Sequence, residues 1–286
     1  MWPFKILLAT AASLVAFAAN SLLARAALAQ GAAGPASFTA LRLVSGALVL
    51  YLVARWPSRR HSRESSGAGS WLSAISLFIY AFAFSWAYLS LSAGTGALIL
   101  FGAVQISMIG WGLKSGERPG LGQWLGLVLA LAGLVYLLSP GIEAPDPLGA
   151  LLMTLSGVTW GIYSLRGRGV QKPILATAGN FLRSVPLALA ALGIGMVLGG
   201  SQDPISSQGL ILAIVSGAVT SGLGYVVWYG ALAGLSATVA GVVQLAVPVL
   251  AALGGVFFLN EPLTLRLVVA GLVILAGIAL ASRSRQ

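Results

Sequence analysis

Residues 87–93 read Ala-Tyr-Leu-Ser-Leu-Ser-Ala, and 144 positions later residues 231–237 read Ala-Leu-Ala-Gly-Leu-Ser-Ala. The same shift lays Glu117 on Glu261 and Leu131-Ala132-Gly133 on Leu275-Ala276-Gly277. Matches of Ala and Leu are cheap in so apolar a chain, but the Glu match is not, because the 286 residues include only six acids. A shift of 143 places Phe17, Ser21 and Arg25 on Trp160, Ser164 and Arg168, and a shift of 141 places Arg42 on Arg183. Small slips in the shift mean loops of unequal length, so the chain reads as one unit used twice.

Composition says which solvent the unit meets. The chain is 58% hydrophobic and 8% charged, whereas a soluble domain carries roughly a quarter charged residues. Apolar segments broken by Gly, Pro or charge fall at 6–27, 36–54, 71–91, 94–113, 121–138, 148–165, 174–198, 208–232, 236–258 and 264–281. A bilayer span takes about 20 residues, so these ten segments leave short loops and no room for a soluble domain. The first segment has the look of a signal peptide, with Lys5 ahead of it and Ala27-Leu28-Ala29 behind. Asn20, Ser21 and Arg25 inside it are too polar for a simple apolar core of that kind, and it reads as a helix.

Loop charges set the orientation. With the N-terminus inside, both termini and the even-numbered turns hold Lys5, Arg55, Arg59, Arg60, Arg63, Lys114, Arg118, Arg166, Arg168, Lys172, Arg283 and Arg285. The other side holds Glu143, Asp146, Asp203 and Glu261, with Arg25 and Arg266 as its basic residues near the boundary. Lys/Arg bias carries the inference, and an even number of helices with both ends cytoplasmic satisfies it. Each half then has five helices, and an odd number forces the second half to insert upside down relative to the first. The expectation is an all-α integral membrane protein of ten transmembrane helices in two inverted repeats. Residues 1–139 form the first repeat, 140–147 a periplasmic linker marked by Pro140, Pro145 and Pro147, and 148–286 the second.

Enzyme chemistry finds little here. Cysteine is absent, the single histidine, His61, lies in a charged loop, and all six acids lie in loops or at helix ends. No zinc-hydrolase, serine-hydrolase or nucleotide-binding motif is present. Neither a metal nor another cofactor is expected. The formal charge of +10 sits in clusters beside apolar spans, where it faces lipid headgroups rather than nucleic acid.

Polar residues inside a bilayer are costly unless they face a cavity or a partner, which singles out Asn20, Gln105 and Gln244. Gln244 stands out because Pro248, four residues on, removes a backbone hydrogen bond and frees carbonyls, as helices do beside a cavity. Tying helices together is the simpler role for such amides. Aromatic residues recur at helical spacing: Tyr80, Phe84 and Tyr88; Trp160 and Tyr163; Tyr225, Trp228 and Tyr229. Trp2, Trp56, Trp71, Trp111, Trp124 and Tyr136 suit the headgroup level. Trp86, Tyr88, Tyr80 and Trp160 are harder to place there, and their polar atoms need partners that core packing or a wet cavity would provide. Arg42 and Arg183 lie about two turns inside their segments. Snorkelling toward headgroups or neighbouring carbonyls is the simpler account of both, and anchoring a substrate carboxylate the sharper one. Gly157 with Gly161, Gly195 with Gly199 and Gly230 with Gly234 make small-residue faces suited to close helix packing.

These residues resemble the drug/metabolite transporter superfamily in its EamA-type ten-helix branch. The likeness rests on Gln244-Leu-Ala-Val-Pro248 running to Asn260-Glu261-Pro262 and then Gly271 and Gly277, on Trp160-Gly161-Ile162-Tyr163, and on Arg42. In the first half Glu117 and Gly133 keep the pattern, while Val104 stands where the family has Pro. The chain is most similar to bacterial YddG-type exporters of aromatic amino acids. That resemblance implies a multi-pass protein of the bacterial inner membrane, a monomer, exporting aromatic and other neutral amino acids by alternating access. The expected substrate site is Gln244, Trp160 and Tyr163, with Asn20 across the symmetry axis and Tyr80 and Phe101 as lining. Amides would orient the polar end of an amino acid while aromatic faces hold its side chain. With no carboxylate or histidine at mid-depth, the sequence points to a facilitator or exchanger without an obligatory proton. An exporter of other metabolites or drugs shares the scaffold, and a membrane-embedded enzyme or scaffold of lipid metabolism is the alternative from another class.

Overall fold

The structure, a computed structural model, describes residues 4–55, 69–114, 120–141, 143–167, 170–199, 204–232 and 243–283. From the first half come α1 (Phe4–Ala29), α2 (Pro35–Arg55), α3 (Trp71–Ala87), α4 (Ala93–Lys114) and α5 (Leu121–Leu138). From the second come α6 (Pro147–Gly167), α7 (Pro173–Gly199), α8 (Ser207–Val215), α9 (Gly224–Leu232), α10 (Ala246–Leu259) and α11 (Leu265–Arg283). A π-helical stretch, Ser216–Leu223, joins α8 to α9 without a break. Six helical runs, with Ser207–Ala231 taken as one, are long and apolar enough to cross a membrane, and four shorter helices are equally apolar. Among the described residues there is no β-strand, only an isolated bridge between Ala33 and Ile205 that pins the α1–α2 turn to the α7–α8 turn.

The predicted segments meet these helices to within about two residues at their described ends, with two exceptions. Segment three, expected to reach 91, ends at Ala87. Ser92 Oγ there accepts from the Thr95 N–H at 3.3 Å, so the serine side chain starts α4 instead of letting α3 continue. Segment nine was expected as one helix over 236–258. Residues 233–242 lie outside the described part, and the helix is interrupted by a turn at Leu245 before α10 begins. Pro248 therefore sits in the first turn of α10, where a missing N–H costs no helical bond. This corrects the expectation that the proline removes a backbone hydrogen bond and frees carbonyls in mid-helix. The basic or polar loop residues Arg59, Arg60, His61, Arg63, Glu64, Glu117, Arg118, Arg168, Asp203 and Arg285 also lie outside the described part, as do Trp2, Trp56 and Gly234.

Packing pairs the helices across the two halves. Helix α5 lies along α11 and α2 along α7. Helix α6 lies against α3 and α4, while α1 lies against α9, the π stretch and α10. The buried centre is apolar and aromatic, with Phe38, Leu43, Phe84, Tyr88, Met153 and Phe181 among its largest fully buried side chains. Large apolar side chains also cover the outside, Phe257 and Phe258 at 75% and 77% exposure among them. Such a surface suits lipid, where helices satisfy their own backbone bonds. Trp71, Trp111, Trp124 and Tyr136 are on that outer surface, and so is Trp86.

Close approach explains some of the glycines. A Cβ on Gly157 would collide with the Leu100 carbonyl of α4, and one on Gly217 with the Arg42 carbonyl of α2. Gly195 and Gly230, by contrast, face open space, so of the small-residue pairs read from the sequence the one on α6 is seen to pack.

Candidate substrate site

Arg42 starts the site. It lies seven residues into α2, roughly 10 Å along the helix from its first residue. Its side chain extends toward the middle of α3 and the π stretch instead of toward either helix end. Nη2 donates to the Tyr80 hydroxyl at 2.9 Å and Nε to Ser221 Oγ at 3.2 Å. The guanidinium also lies over the Tyr80 and Phe84 rings, 5.2 and 4.8 Å from their centroids. Arg42 is 2% exposed, and Nη1 is buried without a hydrogen-bond partner. Snorkelling, the simpler account of this arginine, is overturned. It holds better for Arg183, whose Nη1 donates to the Gly179 carbonyl of its own helix at 3.0 Å.

The π stretch makes this arrangement reachable. A π turn widens a helix by a residue and often accompanies functional sites. Here Gly217 lets α2 come into backbone contact, and Ser216, Thr220 and Ser221 are buried with their hydroxyls directed at α1 and α2. Asn20 Oδ1 accepts from Ser216 Oγ at 2.7 Å and from Thr220 Oγ1 at 3.2 Å.

Tyr80 links the arginine to a run of aromatic rings. Its ring is 4.8 Å from Trp160, which lies 5.4 Å from Tyr163 in a stacked pair and 5.3 Å from Tyr225. Tyr225 continues to Phe17 and Phe181, each at 6.0 Å. These separations are those of favourable aromatic pairs. Ser156 Oγ fixes the register by donating to the Tyr80 carbonyl at 3.0 Å, which holds α6 against α3 at this level.

Of the residues expected from the sequence, Tyr80, Trp160 and Tyr163 come together. Asn20 is buried on α1, bound to the π stretch and making none of these ring contacts. Gln244 is half-buried just ahead of α10, and Phe101 is buried on α4 outside the ring cluster. Sequence reading missed Phe17 and Ser221 and gave Arg42 the wrong default. Phe17 had a signal, because the repeat superposes it on Trp160. Ser221 had none, since nothing in its neighbourhood announces a π turn.

A second charged group closes one end of the bundle. Arg25, near the end of α1, pairs through Nε with Glu261 Oε1 at 2.9 Å and donates through Nη1 to the Tyr88 and Leu89 carbonyls, both at 3.1 Å. The other oxygen of Glu261 accepts from the Ala93 N–H at 2.8 Å, placing a carboxylate on the N-terminus of α4. Asn260 supplies the turn. Its φ of 53° is the left-handed conformation that ends α10 and aims Glu261 back at α1 and α4. An open cleft at the same end is lined by Ser90, Ser92, Thr95, Glu143, Pro262 and Thr264.

A bundle of apolar helices, lipid-suited outside and holding a buried cation among aromatic rings, defines a multi-pass membrane protein with a polar centre. Comparison with known proteins agrees. Residues 147–283 match the EamA-like transporter family. The chain is 52% identical to the uncharacterized protein PA1977 of Pseudomonas aeruginosa, over 96% of this chain and 94% of that one. It is 28% identical to the uncharacterized transporter YwfM of Bacillus subtilis, over 83% and 81%. A protein of solved crystal structure shares the fold with a TM-score of 0.67 at 24% identity, over 97% of this chain and 98% of the other. The chain belongs to the EamA-like transporters of the drug/metabolite transporter superfamily. It is a membrane transporter and not an enzyme.

Proposed function

We propose that the chain exports amino acids, aromatic and other neutral ones, across a bacterial inner membrane by alternating access of two inverted five-helix repeats, 1–139 and 148–286, with both termini cytoplasmic. The observation that carries the reading is the run from Arg42 through Tyr80 to Trp160, Tyr163 and Tyr225, where a fixed positive charge adjoins a wall of aromatic faces at mid-helix. A molecule with a small charged end and a flat apolar side chain matches such a wall. Gln244 and Asn20 belong to the same path, with Phe101 as lining on α4.

The inverted repeat draws support from the packing. Exchanging the halves turns the α6–α3 contact into that of α1 with the α8–α9 run, and the α6–α4 contact into that of α1 with α10. The α2–α7 and α5–α11 contacts map onto themselves. Such exchange is what a pseudo-two-fold axis in the membrane plane requires. Export of organic cations is the poorer reading. It calls for a carboxylate at mid-depth, and the described acids Glu143, Asp146 and Glu261 gather at one end instead.

Counterflow in sealed proteoliposomes tests the function. Vesicles loaded with unlabelled phenylalanine should take up labelled phenylalanine and tryptophan well above empty vesicles, and a quaternary ammonium compound should not exchange. Exchange of the cation alone would sink the amino-acid reading.

A further inference from the structure

Arg42 is a charge the protein does not itself satisfy. Its guanidinium has five N–H donors and no acceptor. Two of its nitrogens reach hydroxyls, on Tyr80 and Ser221, and both hydroxyls are neutral. Nη1 is buried with no partner. Among the described residues the one ion pair is Arg25 with Glu261, and no carboxylate faces Arg42. Burying a cation without a counter-charge is among the costlier arrangements available to a membrane protein. Neutral partners and two ring faces offset only part of that cost, so an anion that arrives, binds and departs is the missing element.

We infer that Arg42 Nη1 is the anchor for a carboxylate on the transported molecule, and that the ligand class is an aromatic monocarboxylate whose ammonium group is dispensable. The inference rests on the proposed transport site and narrows it. Arg42 and Tyr80 hold the acid end, with the side chain laid along Tyr80, Trp160 and Tyr225. Among the described residues around Arg42, an ammonium group finds no equivalent anchor. The Asn20 carbonyl oxygen already accepts two hydroxyl hydrogens, and the Tyr80 and Phe84 faces are occupied by Arg42 itself. Recognition is therefore one-sided: the carboxylate is read, and the ammonium is tolerated.

Equilibrium binding to the full-length protein in detergent, with labelled phenylalanine, 3-phenylpropionate and phenylalaninamide, separates these claims. Phenylpropionate should bind within about 3-fold of phenylalanine. The amide, which keeps the ammonium and lacks the carboxylate, should bind at least about 10-fold more weakly, the value of a hydrogen bond to a charged group. Arg42→Gln should erase that difference, and Arg42→Lys should restore part of it. Amide binding as tight as that of phenylalanine in the unaltered protein overturns the inference and leaves amino-acid export standing. Binding of phenylpropionate without phenylalanine does the reverse: the anchor stands and the amino-acid reading falls. If none of the three binds, both are wrong. Because the ligand panel is read on the unaltered chain, misfolding of a variant does not shelter the inference.

Discussion

Arg25 and Arg42 are the same residue type on neighbouring helices, and the protein treats them in opposite ways. Arg25 is 21% exposed, yet its chain provides a carboxylate and two carbonyls for it. Arg42 is 2% exposed and receives two hydroxyls and a pair of rings. Physical cost alone would assign the carboxylate to the deeper charge, since the penalty of an unpaired ion grows with burial. The reversal separates architecture from function. A charge saturated by its own chain fastens helix ends together, and a charge left with a spare donor is, on the proposed reading, one for the substrate to satisfy.

The largest effect should come from the contact that lets α2 meet the π stretch. Gly217→Val places side-chain atoms where the Arg42 carbonyl already lies, so α2 must move and both arginine hydrogen bonds go with it. Expected is loss of a monodisperse, folded protein on size-exclusion chromatography. Gly195→Ala is the control, for its Cβ meets nothing within 4 Å, and its thermal midpoint should hold or rise slightly because Ala is the better helix former. Normal folding of Gly217→Val would mean that the close approach is not essential.

The next effect compares the two arginines directly. Glu261→Gln removes the ion pair and weakens the cap on α4, which should lower stability by roughly 1–3 kcal/mol. Adding Arg25→Gln should recover part of the loss, because the orphaned cation goes too. Arg42→Gln should behave differently, leaving thermal stability unchanged or raised, since it deletes a buried charge that had no counter-charge. Denaturation of the three variants side by side checks the order. A fall in stability for Arg42→Gln as large as for Glu261→Gln would remove the distinction between the two sites.

How far could this have been read from the sequence? Segment positions were legible because each span is a long apolar run punctuated by Gly, Pro or charge, and those features act locally. That Tyr80 and Trp160 would need partners was legible for a similar reason, since a polar aromatic residue at mid-depth needs one whatever the fold, and they meet each other with Tyr163 alongside. The direction of the Arg42 side chain was not legible. Depth along a helix can be counted from sequence, but whether a long side chain turns toward headgroups or toward the bundle depends on what its neighbours leave open. Here they are Gly217 and Ser221, about 180 residues away along the chain, in a π turn with no sequence signature. Pro248 misled in the opposite sense, because a proline in an apolar run looks like a kink until a turn at Leu245 makes it the opening of a new helix.

A smaller effect is expected at Gln244, which is half-buried just before that opening. Gln244→Ala should reduce phenylalanine counterflow several-fold, in line with loss of one neutral hydrogen bond, and should leave expression and monodispersity intact. Unchanged flux would move Gln244 from the substrate path to the scaffold, leaving Arg42 as the polar end of the site.

The smallest expected effect is none at all, and it concerns energy coupling. A proton antiporter carries a carboxylate or histidine within the membrane whose protonation alternates with substrate binding. Glu261, beside Pro262, could take that part only by folding inward. Instead it is held between the end of α1 and the start of α4, with one oxygen on Arg25 and the other on the Ala93 N–H. Both of its oxygens are thus engaged at the end of the bundle, by a guanidinium and by the N-terminus of α4, away from the arginine and rings of the proposed site. Arg42, the group at the centre of the proposed site, is neither a carboxylate nor a histidine. An imposed pH difference across sealed proteoliposomes should therefore leave the steady-state distribution of phenylalanine unchanged, while a phenylalanine gradient alone drives flux. Accumulation driven by the pH difference and abolished in Glu261→Gln would mean that the Arg25–Glu261 pair opens during transport, so that the saturated charge, and not the unsatisfied one, does the coupling.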